Sequence, residues 1–271
     1  MGWVSFTNWY KFYDIATVLL ISLIKTIILF LILTIVIATV TLIERKVLAL
    51  VQRRVGPNYV GYKGRLQFIA DAVKLLVKHI TVLPRVNRTL FLIVPALVLI
   101  TSYLFWANLI WGPNLAVCEI EYNLFFMGVI STMFSYYLVL VGFLTNSKYA
   151  ILSSARVIIM NVNLELMLNF FMICLTIMIE CLNFAQAAAL ETDKKWHIFL
   201  FFTVLPVIFI TFFLETGRIP YDLAEAESEL VAGYTTEYGG FFFALFYLGE
   251  YFHLYCFSGI YAVALFGAWC V

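Results

Sequence analysis

The sequence is short of charge. Only 12% of its 271 residues are Asp, Glu, Lys or Arg, against 64% hydrophobic, and its mean hydropathy is +0.99. A water-soluble globule of that composition could not solvate its own surface, so the soluble enzyme classes are excluded. Catalytic signatures are missing too. There is no Gly-rich phosphate loop, no HExxH and no iron–sulfur cysteine set. Nucleotide, zinc-hydrolase and cluster chemistry must therefore come from elsewhere. The five cysteines, Cys118, Cys174, Cys181, Cys256 and Cys270, form no CxxC pair. No metal site or disulfide is expected of them, and no residue is assigned a catalytic role in its own right. The N-terminus has neither an Arg-rich transit segment nor a short signal region, so the first apolar run is expected to stay in the mature protein. No internal repeat is present, which argues against an inverted-repeat transporter. No nucleic-acid partner is expected.

What the chain has in abundance is apolar runs long enough to cross a bilayer. They predict an all-α, polytopic transmembrane bundle in a single membrane domain, residues 1–271, with about six spans and one amphipathic surface helix. The spans are expected at about 15–43, 89–110, 122–144, 157–181, 196–214 and 240–269. Trp3, Trp9, Tyr10 and Tyr13 read as an interfacial belt before the first span, and Lys25 inside it reads as a snorkelling base. Membrane lipids are the expected surroundings.

The few charges are concentrated. Residues 44–88 form a basic connection with ten Lys and Arg against Glu44 and Asp71, a net of +8. Within it, Leu66, Ile69, Val73 and Leu76 recur at helical spacing, with Asp71, Lys74 and Lys78 on the other face, which predicts an amphipathic helix over 65–79. Residues 215–238, ETGRIPYDLAEAESELVAGYTTEY, hold six of the 16 acids and one base, a net of −5. Six spans put the connections after spans 1, 3 and 5 on one side, and those connections carry 13 of the 17 Lys and Arg. By the positive-inside rule that side is the cytoplasm or matrix. The basic and acidic connections then share a face and can fold against one another around a polar cavity.

Three acids are candidates for burial at membrane depth: Glu165, Glu215 and Glu250. An intramembrane carboxyl is costly, and its proton occupancy responds to a neighbour's charge, which is the requirement of a proton relay. On a helix starting near Asp222, residues Asp222, Glu225 and Glu229 share a face and Glu227 points elsewhere. His253 reads as an interior or interfacial histidine, because no second histidine stands at ligand spacing.

Five stretches carry a resemblance. They are ERKVLALVQRRVGPNYVG (44–61), LQFIADAVKLLVK in the surface helix, NSKYAILSSAR (146–156), the acidic segment, and FALFYLGEY (243–251). In this order and spacing the chain resembles the membrane-embedded quinone-site subunit, chain 1, of respiratory complex I, the proton-pumping NADH:ubiquinone oxidoreductase. The resemblance implies a part in a multisubunit enzyme, with ubiquinone as substrate and no metal or flavin on this chain. It implies that Arg45, Asp71, Arg218, Asp222, Glu225, Glu229, Phe246 and Tyr247 lie along a quinone tunnel. Glu165, Glu215, Glu227 and Glu250 would belong to the proton path that leads from it. The implied partners are the peripheral quinone-module subunits that carry the terminal iron–sulfur cluster and the antiporter-like membrane subunits. The implied location is the mitochondrial inner membrane, with a bacterial plasma membrane as the alternative. A related component of a membrane-bound hydrogenase, a stand-alone ion transporter and a structural anchor are the other readings. There are two departures from the family. Asn163-Leu164 precedes Glu165 where the family has a tyrosine, and the family's last two spans are not in this chain. A second polypeptide is expected to supply them, a truncated chain being the alternative.

Overall fold

The computed structural model describes residues 3–80, 86–109, 122–179, 205–215 and 231–266, together with residues 120, 202, 217 and 221. Among them, all regular structure is helical: α1 (Trp3–Val51), α2 (Gln67–Val77), α3 (Arg88–Asn108), α4 (Asn123–Thr145), α5 (Lys148–Ile179), α6 (Leu205–Glu215) and α7 (Phe241–Phe266), with single 3-10 turns at Tyr62–Gly64 and Gly233–Thr235. Of these, α3, α4, the Leu20–Val51 part of α1 and the Lys148–Cys174 part of α5 are long and apolar enough to cross a membrane. The 26 residues of α7 give it a length of about 39 Å, enough to span as well. The protein is a polytopic helical bundle.

α1 begins at Trp3 rather than near 15, and two further boundaries differ from the sequence expectation. First, α1 does not stop near 43 but runs through Glu44, Arg45 and Lys46 to Val51. No Gly or Pro interrupts residues 3–51, and charged residues are good helix formers, so the helix leaves the apolar zone without breaking. It ends when Arg53 turns left-handed (φ 53), with Arg53 N–H on Leu50 O and Arg54 N–H on Ala49 O, a Schellman closure. Second, residues 148–156 are not loop, because α5 begins at Lys148. Only Asn146 and Ser147 separate α4 from α5. Asn146 closes α4 in a left-handed conformation, and the Ser147 hydroxyl accepts the Ala150 N–H at 3.3 Å as an N-cap. The hairpin is tight. A Cβ on Gly142 would lie 2.5 Å from Ser154 Cβ, so only glycine lets the two helices approach this closely.

The helices pack in the order α5–α4–α3–α7, with α1 on the outer side of α7 and α6 against α5. The predicted surface helix forms as α2 and packs on both α1 and α7, and the 3-10 turn at Gly233–Thr235 lies against α4 and α5. Of the fifth predicted span, residues 205–214 are seen in α6, and most of the rest lies outside the described residues. Much of α1 faces outward, with Leu20, Ile24, Ile28, Leu31 and Ile35 all exposed, as a lipid-facing helix requires. Its threonines Thr26, Thr34, Thr39 and Thr41 donate their hydroxyls to carbonyls one turn back, which leaves these side chains satisfied within the helix.

The buried side chains form two apolar clusters stacked along the bundle. One holds Phe91, Val98, Phe134, Val141, Val157, Phe242 and Phe246, with Tyr234 and Tyr238 from the segment before α7. The other holds Phe105, Met127, Ile130, Leu168, Ile208, Phe252 and Phe257. What lies at their junction is not apolar.

Candidate functional site

The ERK sequence at 44–46 works as a three-way clamp because α1 stays helical through it. Three consecutive helical positions point in three directions, about 100° apart. Glu44 Oε2 accepts the Tyr251 hydroxyl of α7 at 2.8 Å. Arg45 Nη1 donates to Asp71 Oδ2 of α2 at 2.5 Å. Lys46 Nζ donates to the Lys63 carbonyl in the loop between α1 and α2 at 2.7 Å. Gln67 Nε2 steadies Asp71 from one turn away at 3.2 Å. The Arg45–Asp71 side chains are 56% and 36% exposed, so screening leaves the pair a positioning device rather than a large stabilising energy. Two predicted site residues, Arg45 and Asp71, are thus brought into contact.

Phe246 and Tyr247, expected as a pair, face apart. Phe246 is fully buried, edge-on to Tyr238 at 4.9 Å, while Tyr247 is 48% exposed. Tyr247 belongs to an aromatic ladder of Phe243, Tyr247, Tyr251 and Tyr255, with successive centroids 5.0, 5.8 and 6.4 Å apart. The ladder follows the four-residue spacing of one helix face, and its Tyr251 rung meets Glu44 on α1.

The core-facing side of α7, about 100° round from Tyr251, carries Glu250 and His253 into the junction between the two apolar clusters. From α4, Ser131 and Ser135 reach the same level, one turn apart. Ser135 Oγ donates to Glu165 Oε1 of α5 at 2.5 Å. Ser131 Oγ stands 3.4 Å from Glu215 Oε1 at the end of α6. His253 Nε2 stands 4.0 Å from that same oxygen. The Tyr234 hydroxyl donates to Glu250 Oε1. A small, partly open pocket of about 10 Å³, by size enough for about one water, is lined by Ser131, Glu165, Gly128, Asn169 and Phe257. The three carboxyls predicted for membrane depth therefore share one polar layer. On insertion scales a charged side chain at helix centre costs about 3 kcal/mol, so a layer of four ionisable groups is not a packing convenience.

The chain entering α7 meets the end of α2. Gly240, just before α7, is so close to the end of α2 that a Cβ there would lie 2.9 Å from the Lys78 carbonyl. Arg218, Asp222, Glu225, Glu227 and Glu229 lie outside the described residues. Among the described residues no cluster of three or more His, Cys, Asp or Glu could hold a metal ion.

Comparison with known proteins decides the family. A sequence-family model described as NADH dehydrogenase matches residues 24–271. The chain belongs to this NADH dehydrogenase family. NADH-ubiquinone oxidoreductase chain 1 of Paramecium tetraurelia is 49% identical over 226 residues, covering 83% of this chain and 86% of that protein. The chain 1 protein of Podospora anserina is 37% identical over 234 residues, 86% of this chain and 63% of its own. A bacterial relative, an NADH-quinone oxidoreductase component of Rhodospirillum rubrum, is 34% identical over 226 residues, 83% of this chain and 67% of its own. The chain thus spans most of the Paramecium relative but less than two thirds of the Podospora one.

Several residues of the site were not picked out by sequence reasoning: Glu44, Ser131, Ser135, Tyr234, Tyr251 and His253. The ladder was legible, since Phe243, Tyr247, Tyr251 and Tyr255 recur every fourth residue. The serines were not, because Ser131 and Ser135 look like any small polar residues in an apolar helix until α5 and α6 bring carboxyls to them.

Proposed function

We propose that this chain is a core membrane subunit of a proton-pumping NADH:ubiquinone oxidoreductase, forming the wall of the ubiquinone site and the start of the carboxylate path. The observation that carries the reading is the double-sided character of α7. One face is a ladder of aromatic rings beside the Glu44, Arg45 and Asp71 clamp. The other face places Glu250 and His253 in the buried polar layer. A quinone ring is flat and apolar with polar carbonyl edges, and aromatic side chains with a charged rim suit it. Tyr247 of the ladder, Arg45 and Asp71 are assigned to that site, together with Arg218, Asp222, Glu225 and Glu229 of the acidic segment. Phe246 backs the site from the core side.

Ubiquinone is the substrate, and its reduction takes two electrons and two protons. Electrons reach it from the iron–sulfur cluster of a peripheral partner subunit. This chain's part is to hold the ring, keep water out and register the charge change. Glu250 lies next to Tyr251 in sequence and about 100° round the helix from it, so a change of charge at the ladder acts on it over the short distance between neighbouring side chains at low effective dielectric. Tyr234 and Glu250 respond first, Glu215 and Glu165 next, with Glu227 of the acidic segment feeding the path, and the layer passes protons toward antiporter-like subunits. The assigned location is the mitochondrial inner membrane, a reading supported by the apolar helices and by the oxidoreductase relatives. Glu215→Gln in the intact complex is expected to lower quinone reduction and proton pumping together. Wild-type rates in both assays would refute the reading.

A further inference from the structure

His253 is held in a way that a filler residue would not be. Its ring lies between Phe134, centroids 4.0 Å apart and 12° from parallel, and Phe105 at 5.5 Å and 24°. Phe257 meets it at 4.7 Å and 70°. With aromatic rings over both faces, polar contacts are possible only along the ring edge. On that edge Nε2 is buried and has no hydrogen-bond partner, yet it stands 4.0 Å from Glu215 Oε1. The two side chains are 4% and 8% exposed. An unpaired buried nitrogen costs about 1–3 kcal/mol, and a core histidine normally avoids that by turning toward a carbonyl or hydroxyl. Here the ring clamp holds the edge toward a carboxyl, one short movement of about 1 Å away from a charge-assisted hydrogen bond.

We propose that His253 and Glu215 are a proton-exchanging pair, with His253 the group through which Glu215 loses and regains its proton. The proposal rests on the reading of the polar layer as the coupling site. In the step, the proton on Glu215 Oε1 passes to the Nε2 lone pair. The O–H bond breaks, the N–H bond forms, and a neutral acid beside a neutral imidazole becomes a carboxylate beside an imidazolium. The net charge of the pair does not change. That matters at membrane depth, where a single uncompensated charge is costly and two neighbouring carboxylates cannot both ionise cheaply. Glu250 precedes His253 by three residues on α7, so a second carboxyl stands one helical turn from the imidazolium. A path of carboxyls alone would have no cation with which to pass a charge change from one acid to the next.

The test is infrared difference spectroscopy of the intact complex between its quinone-oxidised and quinone-reduced states. The expected result is a protonated-carboxyl band and an imidazolium ring band of opposite sign. His253→Asn, which keeps a polar edge but takes no proton, is expected to lose both. Absence of an imidazolium band in the native complex, or its survival in His253→Asn, overturns the pair. Should His253→Asn fail to assemble, Glu215→Gln decides, because the ring clamp around His253 is untouched. Loss of the imidazolium band there supports the exchange, and its survival overturns it. Failure of the wider reading looks different: native quinone reduction and pumping in Glu215→Gln, whatever the spectrum.

Discussion

At the scale of single residues, the polar layer turns on what each hydroxyl can donate. The Ser135 hydroxyl is within hydrogen-bond reach of both Glu165 Oε1, at 2.5 Å, and the Thr132 carbonyl, at 2.8 Å. A hydroxyl has one proton to donate. When Glu165 is ionised, Ser135 donates to it. When Glu165 is protonated, the acid can donate to Ser135 and the hydroxyl turns to the Thr132 carbonyl. In the proposed path the serine would follow the charge on Glu165. Ser135→Ala is expected to cost about 1–2 kcal/mol of stability and to slow proton pumping more than quinone binding. Thermal unfolding and the split between KM and kcat for the quinone would show it, and an unchanged kcat would count against the role. Tyr234 provides the matching contact to Glu250, and Tyr234→Phe is expected to uncouple pumping from quinone reduction while the aromatic packing stays intact. A fully coupled Tyr234→Phe complex would contradict that. Tyr238 in the same segment is a packing residue by contrast. It stacks on Phe91 at 4.2 Å and 7°, and burial pushes its hydroxyl well above the usual range. It stays neutral.

At the scale of elements, α1 and its turn decide where the charged residues go. Because α1 remains helical to Val51, Glu44, Arg45 and Lys46 reach α7, α2 and the following loop instead of dangling in water. The loop is folded back by glycine. Gly64 has φ +72, and a Cβ there would lie 2.1 Å from the Pro57 carbonyl oxygen. Gly64→Ala therefore adds both left-handed strain and a backbone clash, and is expected to destabilise the turn by more than about 2 kcal/mol. The consequence should appear as faster proteolysis between α1 and α2 and a weaker quinone reductase, with the transmembrane bundle still assembled. Native protease resistance would mean that the turn tolerates a side chain. The surface helix α2 keeps its apolar side outward, with Ile69, Val73 and Leu76 exposed beside an open groove of about 640 Å³. Its acidic residue, Asp71, faces α1. Periodicity found this helix and its two faces, but it could not say which face meets the bundle and which meets lipid or a neighbour.

At the scale of the whole molecule, two apolar clusters are separated by one ionisable layer, and the start of α7 packs on the end of α2. Lys63→Cys and Glu237→Cys are therefore expected to react with an impermeant maleimide from the same side of the membrane. Labelling from opposite sides would break the topology and the site with it. Much of this was written in the chain. Length and hydropathy sufficed for a helical membrane bundle, because a lipid environment leaves backbone groups few other ways to be satisfied. Charge asymmetry gave the expectation that the basic and acidic connections share a face, and Glu165, Glu215 and Glu250 stood out because carboxyls are rare inside apolar runs. Packing decided the rest. Phe246 and Tyr247 are neighbours in sequence and part company because one residue turns a helix by about 100°. Ser135 acquires meaning only when α5 lays Glu165 against it, and His253 only when α3 and α4 close rings over both its faces. Local sequence determines which groups are dear to bury; contacts between helices far apart in the chain determine which of them meet.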